Sequence, residues 1–214
     1  MMRVKEVKGM QTAVFGGTGR VGRELVSLMN QNGHALKLLV RSPEKLPGLL
    51  DAAVLKGNVR NQTDTEDAIK GCSSIISCLN TDGDDSLSVG MRHIIQAAEK
   101  WDVQRIVTVG TAGILQARSN PALFRFQSDE SKRRLTRAAE EHAKVFGMLR
   151  NSGLKWTIVC PTYLPDGQLT KTYRTEADFL PEGGTSISVQ DTAHFVYEEW
   201  KKENFLFKRA GIAY

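Results

Sequence analysis

Three glycines at a regular spacing, Gly16-x-x-Gly19-x-x-Gly22, with Gly17 and Thr18 between the first two, are the residues of this chain best suited to hold a charged ligand. Glycine reaches φ > 0 and lets a backbone come close to a ligand. A helix that begins in such a turn presents unpaired N–H groups and the positive end of its dipole. The ligand that fits this chemistry is a pyrophosphate. The spacing differs from the G-x-G-x-x-G of the common dinucleotide fingerprint, and a glycine-rich βα turn with no ligand would have the same composition. Context favours the ligand. Apolar Ala13-Val14-Phe15 precedes the turn, a helical stripe of Val21, Leu25, Leu28 and Met29 follows it to Asn32-Gly33, and a second strand comes at once.

That second strand, Ala35 to Val40, ends at Arg41-Ser42-Pro43-Glu44-Lys45. In a dinucleotide fold this point meets the adenosine ribose, where an Asp or Glu would accept hydrogen bonds from the two hydroxyls of NAD. Here the position holds Arg41, with Lys45 behind it, and a guanidinium forks onto a phosphate. The expected cofactor is therefore NADP; the bland alternative is an arginine that merely sits on the surface.

The rest of the chain supplies elements to position this site. Val54-Leu55 is a third strand ending at Lys56-Gly57-Asn58-Val59. Thr63-Asp64-Thr65-Glu66 has capping-box form and opens a short helix to Gly71. Ser74 to Leu79 is a fourth strand. A polar turn, Asn80 to Asp85, leads to a helix running to about Trp101, with Val89, Ile94, Ile95 and Ala98 as its stripe. Arg105 to Val109 is a fifth strand, followed by Gly110-Thr111-Ala112-Gly113. The segment from Ile114 to Phe126 reads as a lid or as a connector with an aromatic anchor. A long helix from about Ser128 to Arg150 carries Leu135, Ala138, His142, Val145, Phe146 and Leu149 on one face, so His142 reads first as a core histidine. Leu154 to Cys160 is a sixth strand closed by Pro161-Thr162-Tyr163. A glycine- and proline-marked segment then runs to Gly184, before a strand at Ile187-Ser188-Val189, a helix initiated by Asp191 through Trp200, and a last apolar stretch from Phe205 to Tyr214.

Strands alternating with helices give an α/β fold, a doubly wound Rossmann domain with a mostly parallel sheet and helices on both faces. Ligands bind at the carboxyl ends of such strands, so Gly16, Arg41, Asn58, Leu79, Thr111 and Thr162 are expected along one edge. With 214 residues one core is expected over 1–214, the part from about 161 completing the substrate side.

Hydrophobic content of 41% and charged content of 25% exclude disordered and collagen-like classes. No stretch has the length of a membrane span, and Met1 to Met10 alternates charged and apolar residues, so a cytoplasmic protein is expected. The formal charge of +5 concentrates in Lys132-Arg133-Arg134 with Arg137. Glu140 and Glu141 follow, and Arg137 with Glu141 makes an i,i+4 pair, so a solvated helix face is expected rather than a nucleic-acid surface. Cys72, Cys78 and Cys160 form no C-x-x-C pair and read as buried reduced thiols; no metal site is expected.

With the glycine turn, Arg41 and Ser152-Gly153-Leu154-Lys155-Trp156-Thr157-Ile158-Val159-Cys160-Pro161 in place, the chain resembles the atypical short-chain dehydrogenase/reductases over nearly its whole length. Within that group it is most similar to the branch of biliverdin-IXβ reductase, or NADPH-dependent flavin reductase, with nitrogen-metabolite-repression-like proteins among its relatives. Val40-Arg41 with Lys45, Arg150-x-Ser152-Gly153-Leu154-Lys155, Gly167-x-Leu169-Thr170 with Tyr173, and Asp191-x-x-His194-Phe195 carry the closer match.

The resemblance implies cofactor contacts at Gly16, Thr18, Gly19, Arg20, Val21, Arg41, Lys45, Asn58, Val59, Leu79, Gly110, Thr111, Pro161, Tyr163 and Leu164, and the glycine turn adds Gly22. Three positions depart from it: Asn58 replaces the usual acid, Ala112 the serine after the fifth strand, and Tyr163 the histidine after the sixth. The Tyr-x-x-x-Lys pair of ordinary short-chain dehydrogenases is absent from its expected helix, where His142 falls near the lysine position and Ala138 stands for the tyrosine. Tyr197-x-x-x-Lys201 has the spacing in the wrong place and reads as coincidence.

Alcohol oxidation needs a positioned base, whereas a flavin or linear tetrapyrrole holds developing charge in its own conjugation. The expected activity is therefore hydride transfer from NADPH to a flat conjugated acceptor, with Thr111, Tyr163 and His142 as the candidate catalytic residues. The alternative is a non-catalytic NADP(H)-binding redox sensor. A nucleotide-sugar or isoflavone-type reductase would want a larger C-terminal region. The expected partner is a small-molecule acceptor, with neither nucleic acid nor membrane, and the expected state a monomer or weak homodimer.

Overall fold

Val14 and Phe15, Ile75 and Ile76, and Ile106 and Val107 are buried on both faces of three successive strands. That pattern belongs to a parallel sheet covered on both sides. In the computed structural model, which describes residues 11–46, 48, 50–131 and 135–214, the sheet has eight strands. They are β1 (Gln11–Phe15), β2 (Leu36–Val40), β3 (Ala52–Lys56), β4 (Cys72–Ser77), β5 (Arg105–Val109), β6 (Lys155–Pro161), β7 (Arg174–Ala177) and β8 (Lys208–Ala213). Their order is β3-β2-β1-β4-β5-β6-β8-β7, all parallel except β7, which runs antiparallel to β8. The Rossmann reading of the sequence is thereby borne out.

Among the described residues five α-helices cover the faces: α1 (Arg20–Gln31), α2 (Gln62–Ile69), α3 (Ser86–Lys100), α4 (Arg137–Arg150) and α5 (Val189–Lys202). One apolar cluster lies on the face of α2, α3 and α4, with Phe15, Ile75, Ile106 and Ile158 from the strands. The other packs Val14, Ile76, Val107 and Val159 against α1 and α5. The alternation follows from the strand period of two.

Several elements differ from the sequence reading. Ile187-Ser188-Val189 forms no strand: Ile187 N–H donates to Tyr163 O, and Ser188 is the cap of α5, its Oγ accepting from Asp191 N at 3.0 Å. Asp191 thus lies inside the helix it was expected to start. The segment before Gly184 contains β7. Asn61, not Thr63, caps α2, accepting from the N–H groups of Thr63 and Asp64. In α3 the buried side is Leu87, Met91, Ile94 and Ala98, with Val89 and Ile95 only partly covered. Helix α4 starts at Arg137 instead of near Ser128, and Leu135, expected on its apolar face, is 85% exposed.

Glu141, expected on a solvated face, is buried, donated to by Ser88 N–H and paired with Lys144 at 2.6 Å rather than with Arg137. Met1 to Met10 and Lys132-Arg133-Arg134 lie outside the described residues. Among the described residues no helix is long and apolar enough to cross a membrane, and no cluster of three or more His, Cys, Asp or Glu is placed to hold a metal ion.

Candidate functional site

From β1 the strand order steps outward through β2 and β3 on one side and through β4 and β5 on the other, which opens a crevice beyond the ends of β1 and β4. Register puts Phe15 beside Ser77 and Ser77 beside Thr108, so Gly16, Cys78 and Val109 lie at one level, the first two just past their strands and Val109 the last residue of β5. Gly16 has φ +74°, and a Cβ there would lie 2.4 Å from the Cys78 carbonyl oxygen. A Cβ on Gly22 would lie 2.1 Å from the Gly16 carbonyl oxygen. Helix α1 begins after Gly19, which supplies no side-chain cap. The N–H groups of its first turn, on Arg20, Val21 and Gly22, therefore face outward without the partner that a capping side chain gives. The cradle fits a pyrophosphate.

A cleft of about 270 Å³ runs from this turn toward β2 and β3. Gly16, Thr18, Gly19, Arg41, Lys45, Asn58, Val59 and Leu79 line it, eight of the positions that the resemblance implies. Lys45 is brought in by the short 3-10 turn from Pro43. Asn58 is pinned from both sides, its N–H donating to Asp64 Oδ2 at 2.8 Å and its Oδ1 accepting from Arg60 N–H at 3.0 Å.

The cleft has members that the sequence reading missed: Asn80 and Asp82 from the β4–α3 turn and Ser86 at the start of α3. Arg41 donates to Asp82 Oδ2 at 2.8 Å. Arg20 donates to Asp166 Oδ1, also at 2.8 Å, so a loop after β6 reaches the glycine turn. The rule that ligands sit beyond the strand ends, applied to the acidic turn after β4, was the signal that could have found Asp82.

The remaining positions lie along the same edge, outside this cleft. Pro161 closes β6, and Gly110 follows β5, its N–H donating to Val159 O at 2.7 Å. Leu164 packs on the α1–α5 side. Thr111 is buried and its Oγ1 accepts from Gly113 N–H at 3.3 Å, which caps a 3-10 turn at Ala112–Ile114. Tyr163 is 71% exposed. His142 is buried on α4 beside Ala139, Val145 and Leu149. The structure thus places the three candidate catalytic residues in three environments, two buried and one open.

The Ile114 to Phe126 segment is fastened down. Ile114, Leu115 and Ala117 are fully buried, Arg125 N–H donates to Leu115 O at 2.8 Å, and the Phe124 and Phe126 rings stack at 5.8 Å. This favours the connector with an aromatic anchor over the lid.

Tyr197 and Lys201 lie at the other edge. The Tyr197 hydroxyl shares a hydrogen bond of 3.0 Å with His34 Nε2, and His34 precedes β2, at the amino ends of the strands. The three cysteines are free thiols, and burial pushes Cys78 and Cys160 up to about 12 and Cys72 up to about 11, so they stay protonated near neutrality.

A family model described as NAD(P)H-binding matches residues 16–203, which takes in the crevice from Gly16 onward. The chain is 28% identical over 106 residues to the Photosystem II assembly factor Ycf39 of Synechocystis sp., covering 46% of this chain and 32% of that protein. It is 30% identical over 132 residues to a 4-hydroxy-2-methyl-3-oxo-4-farnesyl-3,4-dihydroquinoline-1-oxide ketoreductase of Stigmatella aurantiaca, covering 57% of this chain and 38% of that protein. The match therefore spans about a third of the first relative's length and under two fifths of the second's. Among solved structures, a candidate NADH-flavin reductase from Streptococcus pneumoniae superposes with a TM-score of 0.81 at 23% identity, covering 96% of this chain and 99% of that one.

Proposed function

The chain belongs to the NAD(P)H-binding family of Rossmann-type proteins, and on that premise we propose that it is an NADPH-dependent reductase that passes a hydride to a flat, conjugated acceptor, a flavin or a bilin-like molecule. The observation that carries the reading is a crevice lined by the glycine turn, Arg41 and Lys45, combined with a helix α4 that contains no tyrosine. Ala138 and His142 stand where a proton-relay pair would be, and Tyr197 is occupied with His34 at the far edge. An acceptor that holds charge in its own ring system has no need of that relay. The likeness to a candidate flavin reductase and to a ketoreductase supports reduction as the reaction class.

The bound nicotinamide cofactor would supply the hydride. What the chain does is bind, orient and exclude water. The Gly16 to Gly22 turn, with the N–H groups of Arg20 and Val21, holds the pyrophosphate, and Thr18 and Gly19 shape its floor. Arg41 and Lys45 bind the 2′-phosphate; Asn58, Val59 and Leu79 border the adenosine. Gly110, Thr111, Pro161 and Leu164 border the nicotinamide. Tyr163 stacks on the acceptor, and His142 supports the wall that α4 presents to it.

The test is a single turnover with NADPH carrying deuterium at the transferred position, mixed with FMN. A slower oxidation of the labelled cofactor is expected. Oxidation no faster than without the protein, for FMN and for a bilin, contradicts the reading.

One observation favours a second reading, a non-catalytic NADP(H)-binding sensor. Thr111 turns its hydroxyl to Gly113 and Tyr163 projects into solvent, so the candidate catalytic groups do not converge. A sensor binds NADP and NADPH with different affinity and without turnover; equal affinities remove its basis.

A further inference from the structure

The carboxylate that holds the ribose in NAD sites is missing from the end of β2, yet a carboxylate reaches the same rim from another element. Asp82 stands in the β4–α3 turn at φ 49°, a left-handed conformation that Asp and Asn tolerate. Its Oδ2 accepts from Arg41 Nη2 at 2.8 Å, and both residues line the cleft. The two side chains are 67% and 38% exposed. The pair therefore sits in water at the mouth of the crevice, where opening it costs little.

We propose that Asp82 is a specificity-determining residue that competes with the cofactor 2′-phosphate for Arg41 and so lowers the preference of the site for NADP over NAD. The inference rests on the reading of Arg41 as the 2′-phosphate anchor. A guanidinium that engages a phosphate through the edge now turned to Asp82 must release Asp82, and the released carboxylate then faces a ligand of like charge. NAD carries no 2′-phosphate, so its binding leaves the Arg41–Asp82 pair intact. Asp82 consequently acts against one cofactor and not the other. The Arg20–Asp166 pair lies beside the glycine turn, where both cofactors carry the same pyrophosphate, and it does not discriminate between them.

The test is titration calorimetry with NADP+ and NAD+ at low salt on the wild type, Asp82→Asn, Arg41→Gln and the double variant. Asparagine keeps the left-handed backbone and removes the charge, and both positions are exposed, so folding is preserved. Asp82→Asn should tighten NADP+ by about threefold to fivefold, the scale of an exposed ion pair, and leave NAD+ unchanged. Arg41→Gln should weaken NADP+ by about tenfold and abolish the effect of Asp82→Asn in the double variant. An unchanged NADP+/NAD+ ratio in Asp82→Asn, with the expected loss in Arg41→Gln, overturns the role of Asp82 and leaves that of Arg41 standing. A ratio unchanged by Arg41→Gln overturns both. An Asp82→Asn effect that persists without Arg41 shows that Asp82 does not act through it, which also overturns the proposal.

Discussion

Gly22 packs so closely on Gly16 that a Cβ on Gly22 would stand 2.1 Å from the Gly16 carbonyl oxygen. The two glycines are one device: the first turns the chain at a positive φ, and the second lets the helix start directly behind it. Gly22→Ala should push α1 off the turn, lowering stability by about 1–3 kcal/mol through overpacking. Cofactor affinity should fall with it. Thermal unfolding beside NADPH titration checks this, and an alanine variant with unaltered affinity would show that the turn does not hold the cofactor.

Tyr163 is the exposed aromatic side chain of the proposed acceptor site. Tyr163→Ala should raise the acceptor KM by about threefold to tenfold, the value of an aromatic stack, while the melting temperature stays where it is. An unchanged KM for every acceptor would remove Tyr163 from the site.

The glycine turn, α1 and the central strands were legible because their signals are local: glycine spacing, an apolar run and a helical stripe within one stretch of chain. Strand β7 was not, because Arg174–Ala177 has no apolar alternation and is held at the edge by backbone pairing with β8. Ile187-Ser188-Val189 has strand alternation, but Ser188 Oγ takes the Asp191 N–H and the chain turns helical there. Leu135 fits a helical period that begins only at Arg137. In the site, Arg41 was legible from its place after β2. Its partner Asp82 lies 41 residues away, and Asp166 lies 146 residues from Arg20, so those pairs exist only once the sheet has ordered its strands.

Tyr197→Phe tests the reading of the Tyr197-x-x-x-Lys201 spacing as coincidence. The variant loses the hydrogen bond to His34 and should lose about 1 kcal/mol of stability. Its turnover should equal that of the wild type. A large fall in kcat at unchanged cofactor affinity would return Tyr197 to the chemistry.

Asp191 ties the chain after β6 and the C-terminal residue to α5. It accepts from the N–H groups of Thr170 and Lys171 at 3.0 and 2.8 Å and from the hydroxyls of Thr170 and Tyr214 at 2.6 and 2.7 Å. Burial works to raise its pKa, but these hydrogen bonds outweigh burial and hold it below the ordinary carboxylate value. A depressed folded pKa gives stability that is present above the unfolded value, about 4, and is lost as pH falls through the folded one. Asp191→Asn should therefore cost about 2–4 kcal/mol at neutral pH, with the deficit shrinking below about pH 4. Denaturant unfolding across that range checks it; a deficit of constant size from neutral pH to pH 3 would contradict the assignment.

The central claim is that this crevice delivers reducing equivalents from NADPH to a flat acceptor. The most direct measurement follows NADPH oxidation by absorbance, with and without FMN, FAD, riboflavin and a bilin, with NADH as the control cofactor. The account predicts acceleration by at least one acceptor, with NADPH preferred over NADH. Tight NADPH binding with no acceleration by any of them would contradict it and leave the cofactor-sensing reading in its place.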